Sequence, residues 1–290
     1  MGISVRRLSY GLGAEVLGAD LSRTLSDEDI TQIRQAWIEH GIVLIRGQDI
    51  TPEQHIAFSA RFGTLDDHAA LFKYRHPDHP EIFLVSNKPK ADGTPSDTRN
   101  TGVRWHSDLS YTLRPAMGSL LFCREIPEIG GDTMFANTYL AYDTLSAGFK
   151  RLIDPLWAVH TFEEAVRETE GVRDPANIAA MKKVNRPVMQ PMVRPHEETG
   201  RKTIYVSTGV TTHIVGMTRE ESQPILQYLY QHCIRPEFVY RHRWQCNDLI
   251  MWDNRCTMHK AVGDIPPGGI RHMHRTTVLG TPSGQLYEGA

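Results

Sequence analysis

A histidine and an aspartate stand two residues apart near the middle of the chain, in the segment Trp105-His106-Ser107-Asp108. Side chains alternate along a β-strand with a period of two, so on a strand both would point to the same face. An imidazole and a carboxylate aimed at one point can bind a divalent metal ion. A third ligand of suitable type, His259, follows Trp252-Asp253-Asn254 near the other end of the chain.

Two histidines and one carboxylate are the ligands of the facial triad found in non-haem Fe(II) oxygenases. Such a triad occupies one side of the metal and leaves three coordination positions free. We therefore predict that His106, Asp108 and His259 form a catalytic Fe(II) site.

The residues alone leave other interpretations of the histidines open. With 14 histidines and 34 acids, a His-x-Asp pattern arises by chance, and His76-Pro77-Asp78 reads as such a copy in an exposed turn. His106 and Asp108 could be a hydrogen-bonded pair at a strand end. His272 and His274 form an alternative ligand pair of the cupin type.

Two arginines close to the carboxyl terminus point to anionic ligands. On a strand, Arg271, Met273, Arg275 and Thr277 share one face, and His272, His274 and Thr276 share the other. Burying two guanidinium groups is costly unless anions meet them. We therefore predict that two anionic ligand groups bind at this face of the strand.

The order of these motifs along the chain resembles a known family, the taurine and 2,4-dichlorophenoxyacetate dioxygenases, which depend on Fe(II) and 2-oxoglutarate. The residues that carry the resemblance are His106-Ser107-Asp108, Gly130-Gly131-Asp132-Thr133, Trp252-Asp253-Asn254, His259, Arg271 and Arg275. The likeness extends from about residue 10 to about residue 280, and the segment 238–244 is closer to the phenoxyacetate branch.

The resemblance implies a role for each matching residue. Arg271 would grip the distal carboxylate of 2-oxoglutarate, with a hydroxyl contributed by Thr133. Arg275 would pair with the anionic group of the substrate, the alternative being a surface ion pair. His68 resembles a substrate contact of the taurine branch and His213 one of the phenoxyacetate branch, although either could be a structural histidine.

The same resemblance implies an oxidoreductase that uses O₂ and 2-oxoglutarate, releases succinate and CO₂, and hydroxylates a small anionic substrate. Tyr240 and Trp244 favour an aryloxyalkanoate such as 2,4-dichlorophenoxyacetate, which hydroxylation would split into a phenol and glyoxylate. Taurine, another alkylsulfonate, an alkylsulfate or an aliphatic acid are alternative substrates. Alternatives of other classes are a non-catalytic jelly-roll binding or sensor protein and a cupin-like isomerase or dioxygenase without a cosubstrate.

Composition excludes several classes of partner. The 290 residues carry 40% hydrophobic and 23% charged side chains and a net charge of −2, so neither nucleic acid nor a membrane is an expected partner. The four cysteines, Cys123, Cys233, Cys246 and Cys256, show no Cys-x-x-Cys spacing, which argues against a redox dithiol. Without an apolar leader, a cytoplasmic protein is expected, and a homo-oligomer is left open.

Helix and strand signals indicate the elements that must position these residues. Ser26 and Gly41 bound one predicted helix, Thr51-Pro52 begins a second, and later helices are predicted at 139–152 and 219–233. Many short strands in the second half predict a mixed, mainly β fold, a double-stranded β-helix (jelly roll) with flanking helices. One domain over 1–290 would carry an insertion around 162–200, and the polar segment 88–100 would be either a lid or a disordered loop.

Overall fold

The computed structural model describes residues 2–90, 92–167 and 175–289, except for the side chains of residues 70–72 and 177. Helices flank the sheets in this part of the chain. The α-helices are Asp27–His40 (α1), Pro52–Ala60 (α2), Thr138–Asp143 (α3), Ala147–Ile153 (α4), Phe162–Val166 (α5), Pro175–Val184 (α6) and Arg219–Cys233 (α7), with short 3₁₀ helices at Ala69–Tyr74 and Pro236–Phe238.

Strands make up most of the remaining regular structure. They are Ser4–Arg7 (β1), Ala14–Leu17 (β2), Ile42–Ile45 (β3), Phe83–Ser86 (β4), Ala116–Glu125 (β5), Thr133–Asn137 (β6), Trp157–His160 (β7), Val188–Pro191 (β8), Val193–Pro195 (β9), Lys202–Ile204 (β10), Thr211–Ile214 (β11), Val239–His242 (β12), Leu249–Asp253 (β13), Thr257–Ala261 (β14), His272–Leu279 (β15) and Gln285–Leu286 (β16).

The strands form one large sheet and three smaller ones. The large sheet has the order β1-β2-β3-β13-β5-β15-β4, and the smaller sheets are β12-β6-β14, β11-β7-β8-β16 and β10-β9. All pairings are antiparallel except that between β2 and β3. The predicted mixed, mainly β composition is confirmed, while the jelly-roll wiring stays a prediction.

Helix α1 begins and ends, and α2 begins, where their capping residues predict. The side chain of Ser26 accepts from the backbone of Asp29, and Gly41 closes α1 with a φ of 71°. Thr51 and Gln54 form a capping box at the start of α2. Trp37 of α1 packs so closely on β5 that a Cβ at Gly118 would lie 2.4 Å from its ring. This contact attaches α1 to the outer face of the large sheet.

The inner face of the large sheet packs against the three-stranded sheet. One buried cluster joins Leu121 of β5, Ile250 and Trp252 of β13, and Met273 of β15 with Phe135 of β6. The Phe135 and Trp252 ring centroids are 5.6 Å apart. The candidate ligands lie beside this layer, since His259 belongs to β14 and its ring lies 4.6 Å from that of Trp252.

Two predicted elements differ from the structure. The helix expected over 139–152 is divided into α3 and α4, because Ser146 accepts a hydrogen bond from Phe149 and starts a new helix. His106 and Asp108 were expected on a strand, but His106 makes only an isolated bridge with His259, and Asp108 begins a turn. Their convergence therefore depends on the bridge and the turn.

The charged segment 162–200 contains α5, α6, β8 and β9, and β8 pairs with β7 in the four-stranded sheet. Its last part thus belongs to a sheet, and its status as an insertion stays a prediction. In the segment 88–100, Thr98 is buried and its hydroxyl contacts the backbone of Ser86. A lid function for that segment also stays a prediction. Within the described ranges, no helix is both long and apolar enough to cross a membrane.

Candidate active site

His106, Asp108 and His259 come together as predicted. One potential ligand atom from each lies within 4.8 Å of the others. The Nε2 atoms of His106 and His259 lie 3.7 and 3.8 Å from the two carboxylate oxygens of Asp108. The backbones of the two histidines are joined by reciprocal hydrogen bonds of 3.1 and 2.9 Å, which set their rings side by side.

The tautomer of His106 suits metal binding. Its Nδ1 lies 2.7 Å from the carbonyl oxygen of Arg104, which can only accept, so Nδ1 carries the proton. Nε2, on the side of Asp108, then has a free lone pair that can bind a metal. The Nδ1 atom of His259 is buried and has no hydrogen-bond partner among the described residues.

The Asp108 carboxylate is held by several donors. Ser119 Oγ donates to one of its oxygens at 2.7 Å, and Arg275 Nη1 donates to the other at 2.7 Å. Asn254 accepts from the backbone N–H of Asp108 and donates to Ser119. Trp252 Nε1 donates to the same Asn254 oxygen, so the Trp252-Asp253-Asn254 segment orients the carboxylate.

Electrostatics keeps the three groups ready for a cation. Burial lowers the pKa of His106 and of His259, so both imidazoles are neutral near pH 7. Burial alone would raise the pKa of Asp108, but the charge of Arg275 and the hydrogen bond from Ser119 outweigh it and hold that pKa below its usual range. Two neutral imidazoles and one carboxylate facing each other fit a divalent transition metal.

Arg271 has a buried positive charge with no carboxylate partner within the described ranges. Its Nε donates to the carbonyl of Gly131 at 2.9 Å, and its Nη2 donates to Thr133 Oγ1 at 3.2 Å. Burial lowers its pKa to about 10. The nearby Asp132 and Asp264 are each paired with Arg241 at 2.7 Å. A carboxylate ligand would supply the missing negative charge.

Arg275 differs from the expectation that both arginines require an external anion. It is buried over the ring of Phe83, and its ion pair is with Asp108 rather than with a surface acid. Its charge is therefore already balanced inside the protein. A substrate anion at Arg275 and a carboxylate ligand at Arg271 both stay predictions.

Two cavities meet at the metal-ligand cluster. The arginine cavity is bordered by His106, His259, Thr133, Arg271 and Arg275. The apolar cavity is bordered by His106, Asp108 and Arg275, and its remaining wall includes Phe83, Val103, Leu109, Tyr111, Val166 and Val210. Because Arg275 and His106 border both cavities, ligands in the two would be neighbours.

The other predicted site residues lie at different distances from this centre. His68 is buried beside Asp66, and its ring centroid is 5.6 Å from that of Phe83, which borders the apolar cavity. His213 contacts Thr212 and Tyr287 and does not border either cavity in the described part of the chain. A substrate contact by His68 or His213 stays a prediction.

The aromatic residues taken as a substrate signal have structural roles instead. Trp244 is buried in the core and donates to Thr133 Oγ1 at 2.9 Å, and Tyr240 contacts His242. His272 and His274 lie against each other and near His76, away from His106, so they do not provide the ligands of this cluster.

Comparison with known proteins assigns the chain to a family. The model of the taurine catabolism dioxygenase TauD, TfdA family matches residues 4–277. The chain belongs to this family. It is therefore an oxidoreductase, a dioxygenase that uses Fe(II), 2-oxoglutarate and O₂.

Relatives of this dioxygenase act on several kinds of small anion. It is 31% identical over 275 residues to the 2,4-dichlorophenoxyacetate dioxygenase of Cupriavidus pinatubonensis, covering 92% of this chain and 94% of the relative. It is 30% identical over 298 residues to an alkylsulfatase of Acinetobacter baylyi, covering 99% and 87%. The crystal structure of AAD-2 with Mn(II) and N-oxalylglycine superposes with a TM-score of 0.85 at 32% identity, covering 99% and 100%.

Sequence reasoning missed the residues that support the ligands of this dioxygenase. Ser119 lies in a strand pattern without a sign of chemistry, and Arg104 acts through its backbone carbonyl. Gly131 gives Arg271 both a carbonyl acceptor and room, since a Cβ there would lie 3.3 Å from Arg271 Cδ. The Gly130-Gly131-Asp132-Thr133 motif was the sequence signal for the contact between Gly131 and Arg271.

Proposed function

We propose that His106, Asp108 and His259 hold the iron of this dioxygenase and that Arg271 and Thr133 bind the distal carboxylate of 2-oxoglutarate within a double-stranded β-helix. The observation that carries this proposal is the Arg271 guanidinium. It is buried without a carboxylate partner among the described residues, in the cavity that the histidine ligands also border. Thr133 supports it, because both Trp244 and Arg271 donate to its oxygen, which leaves its hydroxyl proton for a carboxylate.

We further propose that the substrate is an aryloxyalkanoate such as 2,4-dichlorophenoxyacetate. The apolar cavity offers Phe83, Leu109, Tyr111 and Val210 to an apolar body and Arg275 to an anionic group. Taurine has no apolar body to cover these side chains, whereas an aryl group does. An alkylsulfate also combines an apolar body with an anion, and the alkylsulfatase relative makes it the second candidate.

When bound, iron and 2-oxoglutarate supply, with O₂, the oxidising power that converts a substrate C–H bond to C–OH and yields succinate and CO₂. The protein supplies position and charge. Asp108 would face the iron, and Arg275, which donates to Asp108 and borders the apolar cavity, would pair with the substrate anion. The walls of the apolar cavity exclude water from the carbon next to the ether oxygen. A hydroxyl there makes a hemiacetal, which breaks down to a phenol and glyoxylate.

Product analysis tests the substrate proposal. Three parallel incubations of the iron-loaded enzyme each contain 2-oxoglutarate and one candidate substrate. The candidates are 2,4-dichlorophenoxyacetate, taurine and hexyl sulfate. We expect 2,4-dichlorophenoxyacetate to give phenol and glyoxylate in amounts that match the succinate formed. Sulfite without phenol would assign the enzyme to taurine-like substrates, and sulfate without phenol would assign it to alkylsulfates.

An Arg275→Ala variant tests the anion contact. Its KM for the aryloxy acid should rise by roughly 10²-fold or more, as expected when one partner of a buried charge pair is removed. Its KM for 2-oxoglutarate should change far less. Because Arg275 also contacts Asp108, Fe(II) affinity is measured on the same variant, and Arg275→Lys serves as the charge-preserving control. Equal changes in both KM values would reject the assignment.

A further inference from the structure

Two cysteines far apart in sequence lie next to each other. The backbone N–H of Asn247 donates to the carbonyl of Cys123 at 2.9 Å, and the N–H of Cys123 donates to the carbonyl of Asp248 at 2.9 Å. Cys246 immediately precedes this pairing, in a turn closed by the bond from Asp248 N–H to Gln245 O at 3.1 Å. Cys246 is thus the chain neighbour of Asn247, which pairs with Cys123, and its side chain is close enough to act on the Cys123 thiol.

The two thiols differ in access. Cys123 is fully buried in β5, whereas Cys246 is exposed. Burial, and then the neighbouring Cys246 thiol, raise the pKa of Cys123 to about 12. Because Cys123 stays protonated, an oxidant in solution reacts first with Cys246. Cys123 then lies beside the oxidised sulfur.

We propose that Cys123 and Cys246 form a reversible disulfide when the protein meets a hydroperoxide. The Cys246 thiolate attacks the peroxide, the O–O bond breaks, and a sulfenic acid forms with release of water or an alcohol. The Cys123 sulfur then displaces the hydroxyl group as water and closes the S–S bond. The two thiols lose two hydrogens and two electrons, and the peroxide is reduced by the same two electrons.

The Cys123–Cys246 pair lies close to the arginines of the candidate active site. Cys123 lies near the guanidinium of Arg271, and its backbone pairs with Met273 in β15, the strand that also carries Arg275. The absence of Cys-x-x-Cys spacing argued against a redox dithiol, but strand pairing brings together thiols that the sequence separates. A disulfide at Cys123 would therefore form beside the strand that carries Arg275.

Mass spectrometry of the full chain tests the proposal. Iron-free protein is treated with hydrogen peroxide, the remaining thiols are alkylated, and the chain is compared with and without dithiothreitol. Four alkylated cysteines should fall to two, with a loss of two hydrogens and a peptide joining Cys123 to Cys246. Dithiothreitol should restore all four.

Two variants make the outcome decisive. Cys246→Ser should prevent the loss of two hydrogens, whereas Cys233→Ala, at a buried cysteine in α7, should leave it unchanged. Four thiols surviving peroxide would overturn the proposal. Addition of two oxygens to Cys246 alone, or a disulfide between two chains, would overturn it as well.

Discussion

At the scale of single residues, the metal site depends on three side chains whose charges balance a dication. Replacing His259 or Asp108 with Ala should abolish Fe(II) binding and succinate formation while the fold is kept, because two ligands cannot hold the ion. Binding is measured by titration with Fe(II) under anaerobic conditions. His40→Ala is the control, since this half-buried histidine at the end of α1 borders neither cavity in the described part of the chain. Wild-type succinate production by the Asp108 or His259 variant would refute the ligand assignment.

Ser119 should act on the metal through Asp108. Its hydroxyl donates to the carboxylate at 2.7 Å, so Ser119→Ala should weaken Fe(II) affinity by about 10- to 100-fold, as is usual for partners of metal ligands. Ser59→Ala removes another buried hydroxyl, which bonds to the carbonyl of His55. That control should change stability and leave Fe(II) affinity intact. Equal Fe(II) affinities in the two variants would show that Ser119 is structural only.

Arg271 tests the cosubstrate contact. Arg271→Lys keeps the charge but loses the planar group that bonds Gly131 and Thr133, so the KM for 2-oxoglutarate should rise by roughly 10-fold or more. Steady-state kinetics with varied 2-oxoglutarate measures this, with the exposed Arg61→Lys as control. An unchanged KM for 2-oxoglutarate beside a changed one for the substrate would mean that Arg271 contacts the other ligand.

At the scale of elements, the bridge between His106 and β14 depends on a close backbone approach by Gly209. A Cβ at Gly209 would lie 2.8 Å from the Trp105 carbonyl and 3.0 Å from His106 Cβ. Gly209→Ala should therefore displace His106, weaken Fe(II) binding and lower stability by about 1–3 kcal/mol. Metal titration and thermal unfolding measure the two effects.

Gly148 provides a matched control for that substitution. It lies in α4, where the nearest atom to an added Cβ is 4.0 Å away. Gly148→Ala should leave Fe(II) affinity unchanged and, if anything, stabilise the helix. Fe(II) affinity preserved in Gly209→Ala would show that the bridge tolerates movement of its neighbour.

At the scale of the whole molecule, buried histidines make stability depend on pH. Burial lowers the pKa of His55 and His274 to about 3 and that of His160 to about 4, from 6.5 in the unfolded chain. Between those values the unfolded chain binds more protons than the folded one. The free energy of unfolding should therefore fall as pH drops below 6.5, by about 1.4 kcal/mol per pH unit for each histidine.

Urea unfolding of the iron-free protein at pH 7.5, 6.5 and 5.5 measures this dependence. Above pH 6.5 these histidines should add no slope, because they are neutral in both states. His160→Gln keeps a polar group near Thr211, which lies 3.1 Å from His160 Nε2, and should reduce the slope by about one proton. Equal stability at pH 7.5 and 5.5 would contradict the explanation.

The sequence by itself determined the features that depend on local chemistry. The caps of α1, α2 and α7 follow from Ser26, Thr51 and Thr218, whose side chains reach amides only three residues away. The ordered motifs with His106, Asp108, His259 and Arg271 were sufficient for the family, because metal and carboxylate recognition require those side-chain types.

Only the tertiary structure decided which distant groups meet. Pairing of β14 with the His106 segment brought the ligands together, and the turn at Asp108 placed its carboxylate against Arg275. The same packing put Trp244 in the core and Cys123 beside Cys246. Strand partners can be separated by any length of chain, so alternation along one strand reveals its faces but not what lies opposite them.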